Sequence, residues 1–217
     1  THILATYMNI PSQLEASNDG AVSRFKFKGI LPNRSKYSQF KGPIDWLTTI
    51  ELVYCNKRVS KMEPPLQGYT KENMFKLFWH DIGLLHRELG IDYGQTISQD
   101  YGSYKGFIAE NFVAQELKAL GYDLQHWDPE RNTAEIEFLL PNDDGIIPIE
   151  VKSGSKKRKH KSLLVFKDKF KPKLSIKLSG MNLRFEQDQI NAPLYLSGRI
   201  KELIEHFKRN SKSTPKF

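Results

Sequence analysis

Near the start of the chain, Ile3, Leu4, Tyr7, Met8, Ile10 and Leu14 recur at three- and four-residue intervals. This is the spacing of one helix face, and Ser17-Asn18-Asp19-Gly20 supplies a turn that would end the helix near residue 17. From Lys36 to Thr49 the apolar positions Tyr37, Phe40, Ile44, Trp46 and Leu47, with Ile50 just beyond, are again helical in spacing. Gly42-Pro43 interrupts them, so two short pieces are predicted, with Pro43 in a first turn where its missing N–H costs little. Leu52, Val53, Tyr54, Arg58 and Val59 read as a strand and hairpin within Glu51 to Ser60, ending before Pro64-Pro65. Met74 to His80 is strand-like, and Asp81 to Leu89 reads as a helix stopped by Gly90. Helices followed by a hairpin suggest a winged-helix arrangement for residues 1–95. Residues 90 to 103, with Gly90, Gly94 and Gly102 among polar positions, read as a connection.

The pattern then changes. A helix is predicted from Tyr104 to Leu120, stopped by Gly121, followed by the order strand, strand, helix, strand. Ala134 to Leu140 and Ile146 to Lys152 flank Asn142-Asp143-Asp144-Gly145, a hairpin signal. Leu163, Leu164, Phe166 and Phe170 suit a short helix ending before Pro172, and Leu174 to Leu178 alternates as a strand. Residues 96–208 are therefore expected to form an α/β domain, and the polar residues 209–217 a disordered tail.

Composition narrows the function classes. A chain of 217 residues that is 39% hydrophobic can bury one large core or two small ones, and two are expected. Cys55 stands alone, which excludes an internal disulfide, and no Cys/His cluster has zinc-ligand spacing. No apolar run approaches the ~18 residues of a membrane span, so a soluble, cytoplasmic protein is expected. His2, His80, His86, His126, His160 and His206 lie scattered without ligand spacing and receive no role. Charge, by contrast, is concentrated. Lys156 to Lys177 holds ten basic residues against one acid, Asp168, and so outweighs the net +8 of the whole chain. A phosphate backbone and a merely solvated face explain such a run equally well.

The hairpin carries the candidate chemistry. With its turn centred between Asp143 and Asp144, Glu137 lies opposite Glu150 and Glu135 opposite Lys152, all four on one face. Ile136, Phe138, Ile149 and Val151 would then point to the other face, into the core. Two carboxylates facing each other destabilise a sheet unless a cation or a shared proton intervenes. Glu110 falls on the helix arc of Phe107, Val113 and Leu117, which should pack on the sheet, so it needs a partner there; Lys152 is one choice. Divalent-metal phosphodiester hydrolysis needs oxygen ligands and a cation near the phosphate, and Glu137, Glu150 and Lys152 offer both. The same residues could also be ordinary salt bridges on a solvent face.

An acid, a hairpin turn and Glu150-Val151-Lys152 resemble the signature of the PD-(D/E)XK nuclease superfamily, with Glu110 at the position of its first-helix glutamate. The resemblance implies a restriction endonuclease-like α/β core with catalytic residues Glu110, Glu137, Glu150 and Lys152. Glu137 and Glu150 would be ligands for Mg²⁺, and Lys152 would position water; Glu137 stands where aspartate is usual. Phe75 to Leu85, Gly106 to Leu117, Ile149 to Gly154 and Pro193 to Leu196 resemble the C-terminal region of prokaryotic AAA-type ATPases, domain of unknown function 4143. That likeness extends over about residues 1 to 207, with Asp45-Trp46-Leu47 matching its winged-helix part. It implies an upstream ATPase domain that binds ATP, and oligomers formed through it. No Gly-x-x-x-x-Gly-Lys-Ser/Thr loop occurs here, so this stretch is not expected to hydrolyse ATP.

Three functions follow as expectations. The first is a DNA-binding, Mg²⁺-dependent deoxyribonuclease, with Lys156, Lys157, Arg158, Lys159 and Lys161 on the backbone. The second is a catalytically inactive nuclease-fold module recognising DNA or protein beside the ATPase. The third is a winged-helix regulator contacting DNA through the segment from Arg34 to Phe40, with Arg34, Lys36 and Lys41 at phosphates.

Overall fold

Proline at position 11 does not break the first helix. In the computed structural model, which describes residues 1–15, 24–98, 101–129, 134–154 and 161–212, α1 spans His2–Glu15. Pro11 has no N–H, which leaves the Tyr7 carbonyl without its helical donor. The Trp79 indole Nε1 donates to that carbonyl at 3.3 Å, and the two rings stack with centroids 4.2 Å apart. A 3-10 turn at Tyr37–Gln39 precedes α2, Lys41–Thr49. Two pieces form as expected, but the break falls at Phe40 rather than Gly42-Pro43. Phe40 is fully buried, and Pro43 sits inside the first turn of α2, where no donor is required.

β1 (Val53–Val59) and β2 (Thr70–Trp79) pair antiparallel, from Val53 opposite Trp79 to Lys57 opposite Phe75. β2 thus starts four residues before the expected Met74. It leads into α3, Ile82–Glu88, whose N-cap Asp81 accepts the Leu84 N–H at 2.7 Å. The expected connection contains a further short helix, α4 (Tyr93–Ser98); Asp92 accepts the Gln95 N–H at 2.8 Å and starts it despite the polar composition. Gly90 (φ 67°) and Gly121 (φ 83°) take the left-handed conformation just past α3 and past α5, Lys105–Ala119.

β3, Gln125–His126, pairs parallel with β1, giving a sheet of order β2-β1-β3. The second sheet begins with β4 (Phe138–Asn142) and β5 (Gly145–Val151), antiparallel in the expected register, Phe138 opposite Ile149 and Asn142 opposite Gly145. α6 (Lys161–Phe170) crosses to β6 (Ser175–Ser179), parallel to β5. Three further elements were not expected: β7 (Arg184–Phe185), β8 (Gln189–Pro193) and α7 (Ile200–Lys212). The sheet order is β4-β5-β6-β8-β7, with β6 and β8 parallel. α7 takes in residues 209–212 of the expected tail; 213–217 lie outside the described residues.

The architecture is mixed α/β with two mixed sheets. One apolar cluster runs from Ile10 to Ile204, and Phe78 of β2 packs on both Phe107 and Phe138 at 5.9 Å. A second gathers Val59, Leu66, Trp127, Ile136, Leu139, Leu163 and Phe166. Ile136 therefore does not share a face with Phe138. The chain bends at Glu137, and Ile136 forms an isolated bridge with Trp127 instead of extending β4. Among the described residues, no helix is long and apolar enough to cross a membrane.

Candidate functional site

The acidic site forms where α5, β2 and the β4–β5 hairpin meet. On β2, side chains alternate, so Lys76 shares a face with Phe78, the face turned to α5 and β4. Asn111, fully buried on α5, grips the same strand: its Oδ1 accepts the Trp79 N–H at 2.8 Å, and its Nδ2 donates to the Trp79 carbonyl at 2.9 Å. That clamp fixes the helix against the strand and brings the neighbouring Glu110 to Lys76. Lys76 Nζ lies 3.0 Å from Glu110 Oε2 and 2.6 Å from Glu135 Oε1. Burial alone would lower the ammonium's pKa, but Glu110, Glu135 and Glu137 outweigh it and raise it.

Glu137 and Glu150 form the second half. The bend before β4 is held by buried Asn56 of β1, whose Nδ2 donates to the Glu137 carbonyl at 3.0 Å. His126 Nδ1 lies 3.1 Å from the Asn56 carbonyl, so the first sheet braces the second. Glu137 is buried; its Oε2 accepts the Val151 N–H at 3.1 Å and its Oε1 accepts from Lys152 Nζ at 3.1 Å. Lys152 Nζ also lies 3.4 Å from Glu150 Oε1. Glu150 is 1% exposed, whereas Lys152 keeps 44% of its side chain exposed and so forms the open edge of the site. Burial pushes the Glu137 carboxyl up to about 8; Lys152 opposes this, and Glu110, Glu135 and Glu150 reinforce it. Burial likewise lowers the Lys152 ammonium, and Glu137 and Glu150 more than reverse that. Lys177 of β6 stands in register beside Glu150.

Glu137, Glu150 and Lys152 thus meet directly, whereas Glu110 is held on Lys76, so the pairing differs from expectation. Glu135 does not meet Lys152, and Glu110 does not either: both take Lys76, because β2 approaches the hairpin more closely than sequence spacing could show. Lys76, Asn56 and Asn111 were missed. Lys76 did leave a signal, a lone cation inside the apolar run Phe75-Lys76-Leu77-Phe78-Trp79. The expected basic stripe is partly consumed. Lys167 pairs with Asp188 at 3.0 Å, Lys173 with Asp144 at 3.6 Å, and Lys169 lies over Trp127. Lys161 is exposed at the start of α6, whereas Lys156, Lys157, Arg158 and Lys159 lie outside the described residues.

The chemistry of the donor set suits a hard divalent cation, which is commonly held by one or two carboxylates and water. Four carboxylates lie about the Lys76 and Lys152 ammonium groups, with Lys177 in register beside Glu150; burial first, and the neighbouring glutamates after it, raise the Glu137 carboxyl. Among the described residues, no three or more His, Cys, Asp or Glu side chains are grouped to hold a metal.

Residues 105–196 match the family described as Domain of unknown function (DUF4143). That stretch runs from the start of α5 past β8 and contains Glu110, Glu137, Glu150 and Lys152 but not Lys76. No curated protein and no solved structure matches the chain.

Proposed function

We propose that this chain is a DNA-binding, nuclease-type part of an AAA-type ATPase, with a PD-(D/E)XK-like core that cleaves phosphodiesters with Mg²⁺. The observation that carries the reading is the Lys152 ammonium, within 3.1 Å of Glu137 and 3.4 Å of Glu150 across the β4–β5 pair. An acid before one strand and Glu-x-Lys closing its partner, beside a helix that presents Glu110, supports that core. α2 followed by the β1–β2 pair supports a winged-helix reading of residues 1–95.

Glu137 and Glu150 would hold the ion. Bound there, it supplies positive charge at the attacked phosphate. Lys152, the most exposed member, is placed to orient a water or a phosphate oxygen. Lys76 neutralises Glu110 and Glu135 behind the site and keeps them in place. Asn56 and the Val151 N–H fix Glu137 so that its carboxylate need not reorganise.

A second reading, a fold kept for DNA or protein recognition without cleavage, draws on one observation: both Glu137 oxygens already accept hydrogen bonds. Calorimetry with Mn²⁺ and nicking of supercoiled DNA separate the two. The nuclease reading expects ion binding lost in Glu150→Gln and nicking lost in Lys152→Ala. A wild-type chain that neither binds Mn²⁺ nor nicks leaves the recognition module. Full cleavage by Lys152→Ala removes the lysine's role.

A further inference from the structure

A cavity of about 510 Å³ opens at the C-terminal ends of the parallel strands β5, β6 and β8, closed on the other side by α3, α4 and α5. Crevices outside the carboxyl ends of parallel strands are the usual ligand positions of open α/β sheets, and this volume falls within the ~300–1,000 Å³ of small-molecule sites. The cavity is not the acidic site, but it adjoins that site twice. Ala109 lines the cavity while the next residue, Glu110, holds Lys76; Ser153 lines it while the preceding residue is Lys152. The two sites are therefore built on the same two pieces of backbone, α5 and the segment that leaves β5.

The lining specifies the ligand. Phe112 and Tyr195 offer aromatic faces, and Tyr195 is 75% exposed at the rim. Among the described residues the lining holds no carboxylate, while Lys105 contributes a cation. His86 packs on Tyr101 with centroids 5.4 Å apart, and its Nε2 is buried with no hydrogen-bond partner among the described residues. A planar ring with a polar edge and an attached anion matches this set. Unpaired bases are taken up in this manner, stacked on aromatic side chains and hydrogen-bonded at their edges.

We infer that this cavity receives one unstacked base of a single-stranded DNA segment, with Phe112 and Tyr195 at its faces, His86 at its edge and Lys105 at its phosphate. The inference rests on the nucleic-acid reading of the acidic site and names the substrate form, a strand with an unpaired base beside the phosphate that Lys152 faces.

The test uses the whole chain in chelator with a single-stranded oligonucleotide carrying fluorescein at one end and one 2-aminopurine within. Polarisation reports binding of the strand, and 2-aminopurine fluorescence reports stacking of the base. Binding should quench the 2-aminopurine. Tyr195→Ala should weaken binding about tenfold and relieve the quenching, as loss of one base–aromatic stack does. His86→Phe keeps the ring on Tyr101, removes Nε2 and should weaken binding too. A polarisation rise with 2-aminopurine unchanged, or Tyr195→Ala behaving as the parent, overturns the cavity's role while the nucleic-acid reading stands. No polarisation rise overturns both. Quenching of free 2-aminopurine nucleotide without any effect on the oligonucleotide overturns the strand as its source.

Discussion

Lys76 of β2 and Glu110 of α5 are joined at 3.0 Å across 34 positions of sequence. The contact makes the acidic site a joint product of both halves of the chain. Glu110, Glu137, Glu150 and Lys152 fall within the family match, yet the ammonium that balances Glu110 and Glu135 comes from a strand outside it. A fragment limited to residues 105–196 would lack the cation that Glu110 and Glu135 share.

Removing Lys76 should therefore cost more than a surface ion pair. Its side chain is 3% exposed, and breaking a buried pair costs roughly 3–5 kcal/mol because a charge is left uncompensated. Lys76→Met is expected to lose about 3 kcal/mol in urea unfolding, and adding Glu110→Gln should restore part of it. A loss below about 0.5 kcal/mol, the scale of an exposed pair, would mean that the contact does not hold the halves together.

The Glu137 carboxyl gives the stability a pH dependence. Its folded pKa, about 8, exceeds the unfolded value of 4.5, so folding takes up a proton between the two. The stabilisation is complete below about pH 4.5 and is lost as pH rises through about 8, since the native state then binds more protons than the unfolded chain. Urea midpoints in chelator should fall with pH across this window, and Glu137→Gln should flatten the profile. An identical slope in the variant would place the proton elsewhere.

Asn111 is expected to be the positioning residue of α5. Asn111→Ala leaves the Trp79 N–H and carbonyl buried without their side-chain partners, at roughly 1–3 kcal/mol for each unsatisfied group. Under the nuclease reading, the same variant displaces Glu110 and lowers the nicking rate. Asn111→Asp provides the control. It keeps one acceptor for the Trp79 N–H but sets its second oxygen against the Trp79 carbonyl, so it should rescue neither stability nor rate in full.

What the sequence revealed depended on how local the cause was. The β4–β5 register was legible from Phe138–Ile149 to Asn142–Gly145, because a four-residue turn fixes which residues face each other; the bend at Glu137, which ends that register, was not. α3, α5 and α6 were legible through their apolar spacing and, for α3 and α5, their terminal glycines. β8 was not, since Gln189 and Asn191 break the apolar run that marks a buried parallel strand. The partner of Glu110 was not legible either. Helix periodicity shows that a carboxylate faces inward; only the packing of β2 on α5 shows that Lys76, and not Lys152, awaits it.

Tyr7 and Trp79 permit a prediction free of the functional reading. The Trp79 indole satisfies a carbonyl that Pro11 deprives of its helical donor. Trp79→Phe retains most of the stacking but strands that carbonyl, and should cost about 1–3 kcal/mol. In a Pro11→Ala background the restored N–H at position 11 can take the Tyr7 carbonyl, so the indole becomes redundant there. Trp79→Phe should then cost less in that background than in the parent, a non-additivity readable in a double-mutant cycle of urea unfolding. Equal costs in both backgrounds would show that the indole stabilises the chain by packing alone.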